Sequence, residues 1–209
     1  MTNPLAARWA EAWHDRRFRL QAIGTAILLV PLFVGLTRFL NTVERRRGVV
    51  MDDPVLAWIA AVDLTWPIFT IIYAGVVGGI LLMLRNPRRL LMAFQSYGVL
   101  ALFRMAAMYC TPLDPPPGMI VLKDPFVELF GPGEPFTRDL FFSGHTSTLF
   151  LLFLLADGRT LKGMYLLGTI AVAAGVVVQH VHYTVDVLAA PFVAYGSYRL
   201  VRSLVGGSA

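Results

Sequence analysis

The run LTWPIFTIIYAGVVGGILLML, Leu64–Leu84, decides the class of fold, because it carries no charged side chain over its whole length. A bilayer core takes about 20 mostly apolar residues per spanning helix, so this stretch reads as a transmembrane helix. Working outward, five further apolar windows appear: Gln21–Leu36, Leu90–Cys110, Phe141–Ala156, Gly163–Gln179 and Tyr183–Val201. Leu90–Cys110 contains one internal charge, Arg104. The expected fold is therefore all-α: six transmembrane helices in one membrane domain, residues 1–209, with no soluble domain appended. Composition agrees, with 56% hydrophobic and 15% charged residues and a mean hydropathy of +0.64.

The flanks add detail. The N-terminal stretch LAARWAEAWHDRRFRL places Trp9 and Trp13 four residues apart, with arginines on other faces. An interfacial amphipathic helix over residues 4–19 is expected there, against the alternative of a disordered basic tail; a cleaved signal peptide is not expected. The single cysteine, Cys110, excludes an intrachain disulfide. Lys and Arg number eleven in the segments before span one, after spans two and four, and at the C-terminus, against six on the opposite side. Both termini are thus expected to be cytoplasmic, although the ERRR run Glu44–Arg47 falls on the outer side. The net charge of +5 fits anionic lipid at the membrane surface. Nucleic acid is not an expected partner, since no segment outside the spans is long enough to build a basic groove.

Two connections are long, Thr37–Asp63 and Thr111–Leu140, both on the outer side. The second holds seven of the thirteen prolines and reads as a stiff, shaped loop with a short interfacial turn around Lys123–Phe130. Spans five and six are joined by little more than HVHY, which puts His180 and His182 on the outer face. His145 opens span four on that same face, so topology brings together two distant stretches.

Their chemistry is specific. His182 and Asp186 are four apart and share one helix face. A carboxylate against one imidazole nitrogen fixes the tautomer and makes the other nitrogen a better base or nucleophile. His145 could supply a proton to a leaving group, a set that suits phosphoryl transfer through a phosphohistidine. Ser143, Gly144 and the first amides of span four offer donors at a helix N-terminus, and Arg104 offers a cation inside a span. Blander readings stand beside these: an interfacial histidine for His180, a structural tie from Arg104 to a carbonyl or to Asp139, a static His182–Asp186 pair, or a metal set of His145, His180, His182 and Asp186. Cys110 and the methionines read as packing residues.

The segments RDLFFSGHT, Arg138–Thr146, and HVHYTVDV, His180–Val187, resemble two motifs of the sphingomyelin synthase branch of the PAP2 lipid phosphatase/phosphotransferase superfamily. Asp139, Ser143, Gly144, His145 and Thr146 match the first of these, with Arg138 in place of a glycine. His180, His182, Tyr183, Thr184, Asp186 and Val187 match the second. Arg88–Arg89 with the stretch Arg104–Thr111 fits a third motif in part, with Ala101 where that motif has tyrosine. A proline-rich motif of the branch and the Lys-x6-Arg-Pro and Ser-Arg-x5-His elements of classical lipid phosphatases are not clearly present. The resemblance implies a PAP2-like helical bundle and transfer of a phospho-head-group from a glycerophospholipid to ceramide or a related lipid alcohol. It implies His182 as nucleophile, Asp186 as its orienter and His145 as acid and base. Asp139 would position a histidine or the acceptor hydroxyl, and Arg104, Asp139, Ser143, Gly144, His180 and Tyr183 would complete the substrate- and phosphate-binding set. No metal or other cofactor is implied.

The expected partners are a membrane phospholipid donor and a lipid alcohol acceptor, with self-association left open. The expected location is a multi-pass plasma, inner or secretory-pathway membrane, with the site facing the periplasm, exterior or lumen. Two alternatives are a lipid phosphate phosphatase or phospholipase C using water as acceptor, and a non-enzymatic lipid transporter or scaffold.

Overall fold

In the computed structural model, residues 4–124 and 135–205 are described. The expected turn around Lys123–Phe130 falls largely outside them. The described residues form helices joined by loops: α1 (Pro4–His14), α2 (Arg16–Arg45), α3 (Pro54–Trp58), α4 (Thr65–Met83), α5 (Pro87–Cys110), α6 (Gly144–Leu155), α7 (Arg159–Val178) and α8 (Thr184–Val205). Among the described residues the one β-type feature is an isolated parallel bridge between Val49 and Leu113.

Local chemistry sets the helix ends. The Asp15 carboxylate accepts the Arg17 N–H at 2.8 Å and starts α2. It breaks the expected helix over residues 4–19 in two, since a free N-cap side chain competes with helix continuation. Beyond the apolar window Gln21–Leu36, α2 continues to Arg45, about 45 Å of helix in all. Thr37–Arg45, expected as loop, is therefore helical. Asn86 caps α5 through the Arg89 N–H, with Pro87 at its first position, where a missing N–H costs nothing.

Among the described residues four helices are long and apolar enough to cross a membrane: α2, α4, α5 and α7. The expectation of six spans meets two exceptions. Helix α6 has 12 residues, about 18 Å, which is short of a hydrocarbon core of about 30 Å. Helix α8 has 22 residues but carries Arg199 and Arg202 in its last two turns. The chain before α6 is irregular and deeply buried, with Leu140 1%, Phe142 0% and Ser143 0% exposed. Irregular backbone at such depth persists only where protein satisfies its polar groups.

Helix α6 is the hub, packing on α4, α5, α7 and α8, while α2 lies against α1 and α5. Ile68, Leu149, Val172, Val176, Ala190 and Ala194 meet in the shared core. Small residues allow close approach: a Cβ at Gly75 would come within 2.8 Å of Leu149 Cδ2, and one at Gly79 within 2.9 Å of Leu152 Cδ2. The outward faces remain apolar, with Ile27, Leu28 and Val30 of α2 and Leu188 and Phe192 of α8 all more than half exposed. Apolar surface on this scale is stable against lipid and unstable against water.

Candidate active site

The first turn of α6 and the turn between α7 and α8 meet at one end of the bundle. The His145 and His182 rings lie with centroids 6.2 Å apart, near edge-on, and Phe69 of α4 stands edge-on to His145 at 6.0 Å. Asp186 Oδ2 is 3.4 Å from His182 Nδ1, with both side chains essentially inaccessible. The pair is out of line for a hydrogen bond, and His182 Nδ1 and Asp186 Oδ1 have no hydrogen-bond partner. His145 Nδ1 is also buried and unpartnered, so three of the five such atoms among the described residues fall at this one site. Buried polar atoms are nearly always paired in folded proteins, and exceptions are found at catalytic groups and where water, an ion or a ligand completes the bonding. Catalytic hydrogen bonds are commonly long before substrate arrives.

Two devices hold the histidines in place. On the α8 side, Asp186 Oδ2 reaches back to accept the Tyr183 N–H at 3.0 Å, as an acidic side chain in the first turn of a helix can. On the α6 side, Ser143 is the N-cap. Its hydroxyl accepts from the Thr146 N–H at 3.4 Å and the Thr146 hydroxyl at 3.1 Å. The Ser143 N–H is committed to the Asp186 carbonyl at 3.0 Å, which locks the two motifs directly together. The donors left in the first turn of α6 are the N–H groups of Gly144 and His145, which have no intrahelical partner.

Arg104 rises from α5 beneath this turn. Its Nη2 donates to the Asp139 carbonyl at 2.6 Å and to Asp139 Oδ2 at 3.1 Å, and its Nη1 donates to the Phe142 carbonyl. These bonds satisfy the irregular chain that leads into α6. The guanidinium is here a tie of the 139–142 segment, as in the structural alternative, with its positive charge beside Gly144. A Cβ on Gly144 would fall 2.5 Å from Arg104 Nη1, so glycine at this position is what admits the arginine.

His180 and Tyr183 are placed differently from the expected binding set. His180 sits at φ 57° with Nδ1 3.1 Å from the Pro117 carbonyl and Nε2 3.0 Å from the Ile59 carbonyl. Each ring nitrogen faces a main-chain carbonyl, to one of which a neutral ring donates, and the side chain sits between two outer loops. The Tyr183 hydroxyl donates to the Asp114 carbonyl at 2.9 Å and accepts the Met51 N–H at 3.1 Å. In an extended segment His180 and His182 would point the same way, and the left-handed backbone at His180 removes that shared direction.

Several supporting residues were not singled out from the sequence. Asp53 accepts the Thr184 N–H at 2.7 Å and the Thr184 hydroxyl at 3.1 Å, and also caps α3 through Val55 and Leu56. Burial alone would raise its carboxyl, but these donors outweigh burial and hold it below its ordinary value. Asp114 pairs with Arg138 Nε at 2.7 Å and accepts the Gly48 N–H at 3.2 Å, and the Arg138 guanidinium holds its carboxyl low. Glu44, at the end of α2, accepts the Thr137 and Arg138 N–H groups, and Arg46 stacks over Tyr109 with 4.9 Å to the ring centre. The ERRR run thereby anchors the segment that delivers Asp139. Gln179, fully buried, accepts the Leu64 N–H at 2.9 Å and donates to Thr65 and to the Ile120 carbonyl. Among the described residues no three His, Cys, Asp or Glu side chains group in a way that could hold a metal ion.

No curated protein and no solved structure matches the chain significantly. Residues 138–203 match the family model described as PAP2 superfamily C-terminal, a stretch that contains His145, His182 and Asp186 and supports membership of the PAP2 superfamily.

Proposed function

We propose that the protein is a membrane lipid phosphotransferase of the sphingomyelin synthase type. The superfamily match supports phosphatase- or phosphotransferase-type activity on lipids. The observation that carries the finer reading is the His145–His182–Asp186 group, with rings 6.2 Å apart and the carboxylate 3.4 Å from Nδ1.

With Nδ1 of His182 turned to Asp186, Nε2 is the nucleophile. It attacks phosphorus of a glycerophospholipid, forming an N–P bond while the P–O bond to diacylglycerol breaks. His145 gives its proton to the departing oxygen, and Asp186 stabilises the positive charge that develops on His182. In the second half, neutral His145 takes the proton of an acceptor hydroxyl, ceramide or a related lipid alcohol. That oxygen attacks phosphorus and His182 leaves. The N–H groups of Gly144 and His145 at the start of α6, together with the Arg104 charge, supply positive potential for the phosphoryl oxygens.

The site faces the exterior or lumen, and both termini are cytoplasmic. Support comes from the positions of Arg85, Arg88, Arg89, Arg159 and Lys162, which lie at helix ends remote from the histidines. The test is mass spectrometry of purified protein incubated with a mixed lipid panel that includes ceramide and diacylglycerol. New phospho-head-group lipids support the proposal. Release of a free phosphate or phospho-alcohol shows water as acceptor instead, and no product at all favours a transporter or scaffold.

A further inference from the structure

At the end of the bundle opposite the histidines, a cavity of about 310 Å³ opens between α1, the α4–α5 turn and the α6–α7 turn. From His145 to Leu155 along α6 is about 15 Å, so this cavity is separate from the candidate active site. Its polar wall is Arg8, Arg85, Asn86, Arg89 and Asp157. Three guanidinium groups face one carboxylate, which pairs with Arg89. Among the described residues no carboxylate lies within ion-pair distance of Arg8 or Arg85, and Glu11, the other acid near them, lines a neighbouring cavity, so this wall carries an excess of positive charge. The Oδ1 of Asn86 accepts the Arg89 N–H, which leaves the Asn86 amide nitrogen as a further donor. Helix α1 is strapped across this mouth by two bonds to the end of α4, Trp9 Nε1 to the Leu84 carbonyl at 2.9 Å and Arg8 Nη1 to the Arg85 carbonyl at 3.0 Å.

The inner wall is apolar, and Met83, Leu152 and Leu155 also line a second cavity of about 370 Å³. That second cavity runs between α2, α4, α5 and α6 and is lined by side chains such as Phe33, Val76, Ile80 and Phe94. A basic mouth that adjoins an apolar slot across a shared Met83–Leu152–Leu155 wall matches one kind of molecule, an anion with a hydrocarbon tail. A soluble phosphate would use the arginines and leave the slot empty, while a zwitterionic lipid would use the slot and gain nothing from the excess charge.

We propose that this cavity binds one anionic phospholipid of the leaflet opposite the active site. Its phosphate lies against Arg8 and Arg85 and one acyl chain lies in the Met83–Leu152–Leu155 slot. The bound lipid fastens α1 to the α4–α5 turn by neutralising arginines that otherwise repel one another, as basic pockets between membrane helices do. The site is independent of the chemistry at the histidines.

The experiment is native mass spectrometry of the full-length protein in detergent with phosphatidylglycerol, with phosphatidylcholine of the same chains, and with inorganic phosphate, alongside thermal unfolding of each mixture. Phosphatidylglycerol is expected to stay bound through activation and to raise the melting temperature, and the other two are not. The double variant Arg8→Gln/Arg85→Gln is expected to bind phosphatidylglycerol about thirtyfold more weakly. Should the double variant not fold, Arg85→Gln alone is expected to show a smaller loss in the same direction. Equal retention of phosphatidylcholine, stabilisation by phosphate alone, or unchanged phosphatidylglycerol binding in a folded variant overturns the proposal.

Discussion

One oxygen of Asp186 does two things at once: it accepts the Tyr183 N–H at 3.0 Å and lies 3.4 Å from His182 Nδ1. The acid that would orient the histidine is also the acid that starts α8, so helix geometry and side-chain geometry share one anchor. The same residue's carbonyl accepts the Ser143 N–H, which ties α8 to the segment carrying His145.

Asp186→Asn separates these roles. Asparagine keeps an acceptor for the Tyr183 N–H, so the fold is expected to survive with a loss of about 1 kcal/mol or less. The negative charge beside His182 is removed and the favoured tautomer changes. Turnover is expected to fall roughly 10²- to 10⁴-fold. Thermal unfolding and lipid turnover of the same preparation check both halves, and retained turnover in the folded variant contradicts the assigned role.

Gly144→Ala probes the arginine tie. The new methyl meets Arg104 Nη1 at 2.5 Å and forces the guanidinium away from the Asp139 and Phe142 carbonyls. Overpacking of this kind costs about 1–3 kcal/mol. A lower melting temperature together with reduced turnover is expected. A melting temperature equal to wild type shows that Arg104 has room this geometry denies it.

His180→Asn distinguishes a loop clamp from a phosphate ligand. Asparagine tolerates φ 57° but is too short to span the Pro117 and Ile59 carbonyls. A stability loss of about 1–3 kcal/mol is expected from the unmade bonds. Vanadate, a mimic of five-coordinate phosphorus, is expected to bind the folded variant as it binds wild type. Weakened vanadate binding with unchanged stability assigns His180 to the site instead.

The outer loops carry an acid dependence of their own. Asp53 and Asp114 are both held below the ordinary value of 3.8, the first by the Thr184, Val55 and Leu56 donors against its burial, the second by Arg138 and Gly48. A carboxyl depressed in the folded state adds stability that is fully present above 3.8 and is lost as pH falls through the folded value. Wild type is therefore expected to lose stability on acidification below 3.8, and Asp53→Asn and Asp114→Asn to be less stable at neutral pH but flatter in acid. Unfolding curves across that range check the slope, and equal acid slopes in all three proteins contradict it.

The parts of the fold legible in the sequence were those written in local pattern. The apolar windows locate α4, α5 and α7 to within a few residues, because side chains facing lipid must be apolar along their whole length. The same windows stop at Leu36 while α2 continues to Arg45, since a helix leaving the membrane keeps its hydrogen bonds but not its hydrophobicity. The shortness of α6 was hidden because Phe141 and Phe142 are as apolar as a helix, yet their chain is irregular and held by Arg104. His145, His182 and Asp186 could be brought together from topology. Asp53 could not, because it meets Thr184 across 131 residues and nothing near it in sequence signals that partner. His180 and His182, two residues apart, do not converge, because the left-handed backbone at His180 takes its ring to the outer loops.

Whether His182 takes the phosphoryl group can be read from a trapping measurement. Purified protein would be mixed with phospholipid carrying a radiolabelled phosphate, quenched in alkaline denaturant within the first turnover, digested and sequenced by mass spectrometry. An alkali-stable, acid-labile label is expected on the peptide containing His182, absent in His182→Ala and reduced in Asp186→Asn. Product formed at wild-type rate by His182→Ala, or label recovered on His145 instead, contradicts that role for His182.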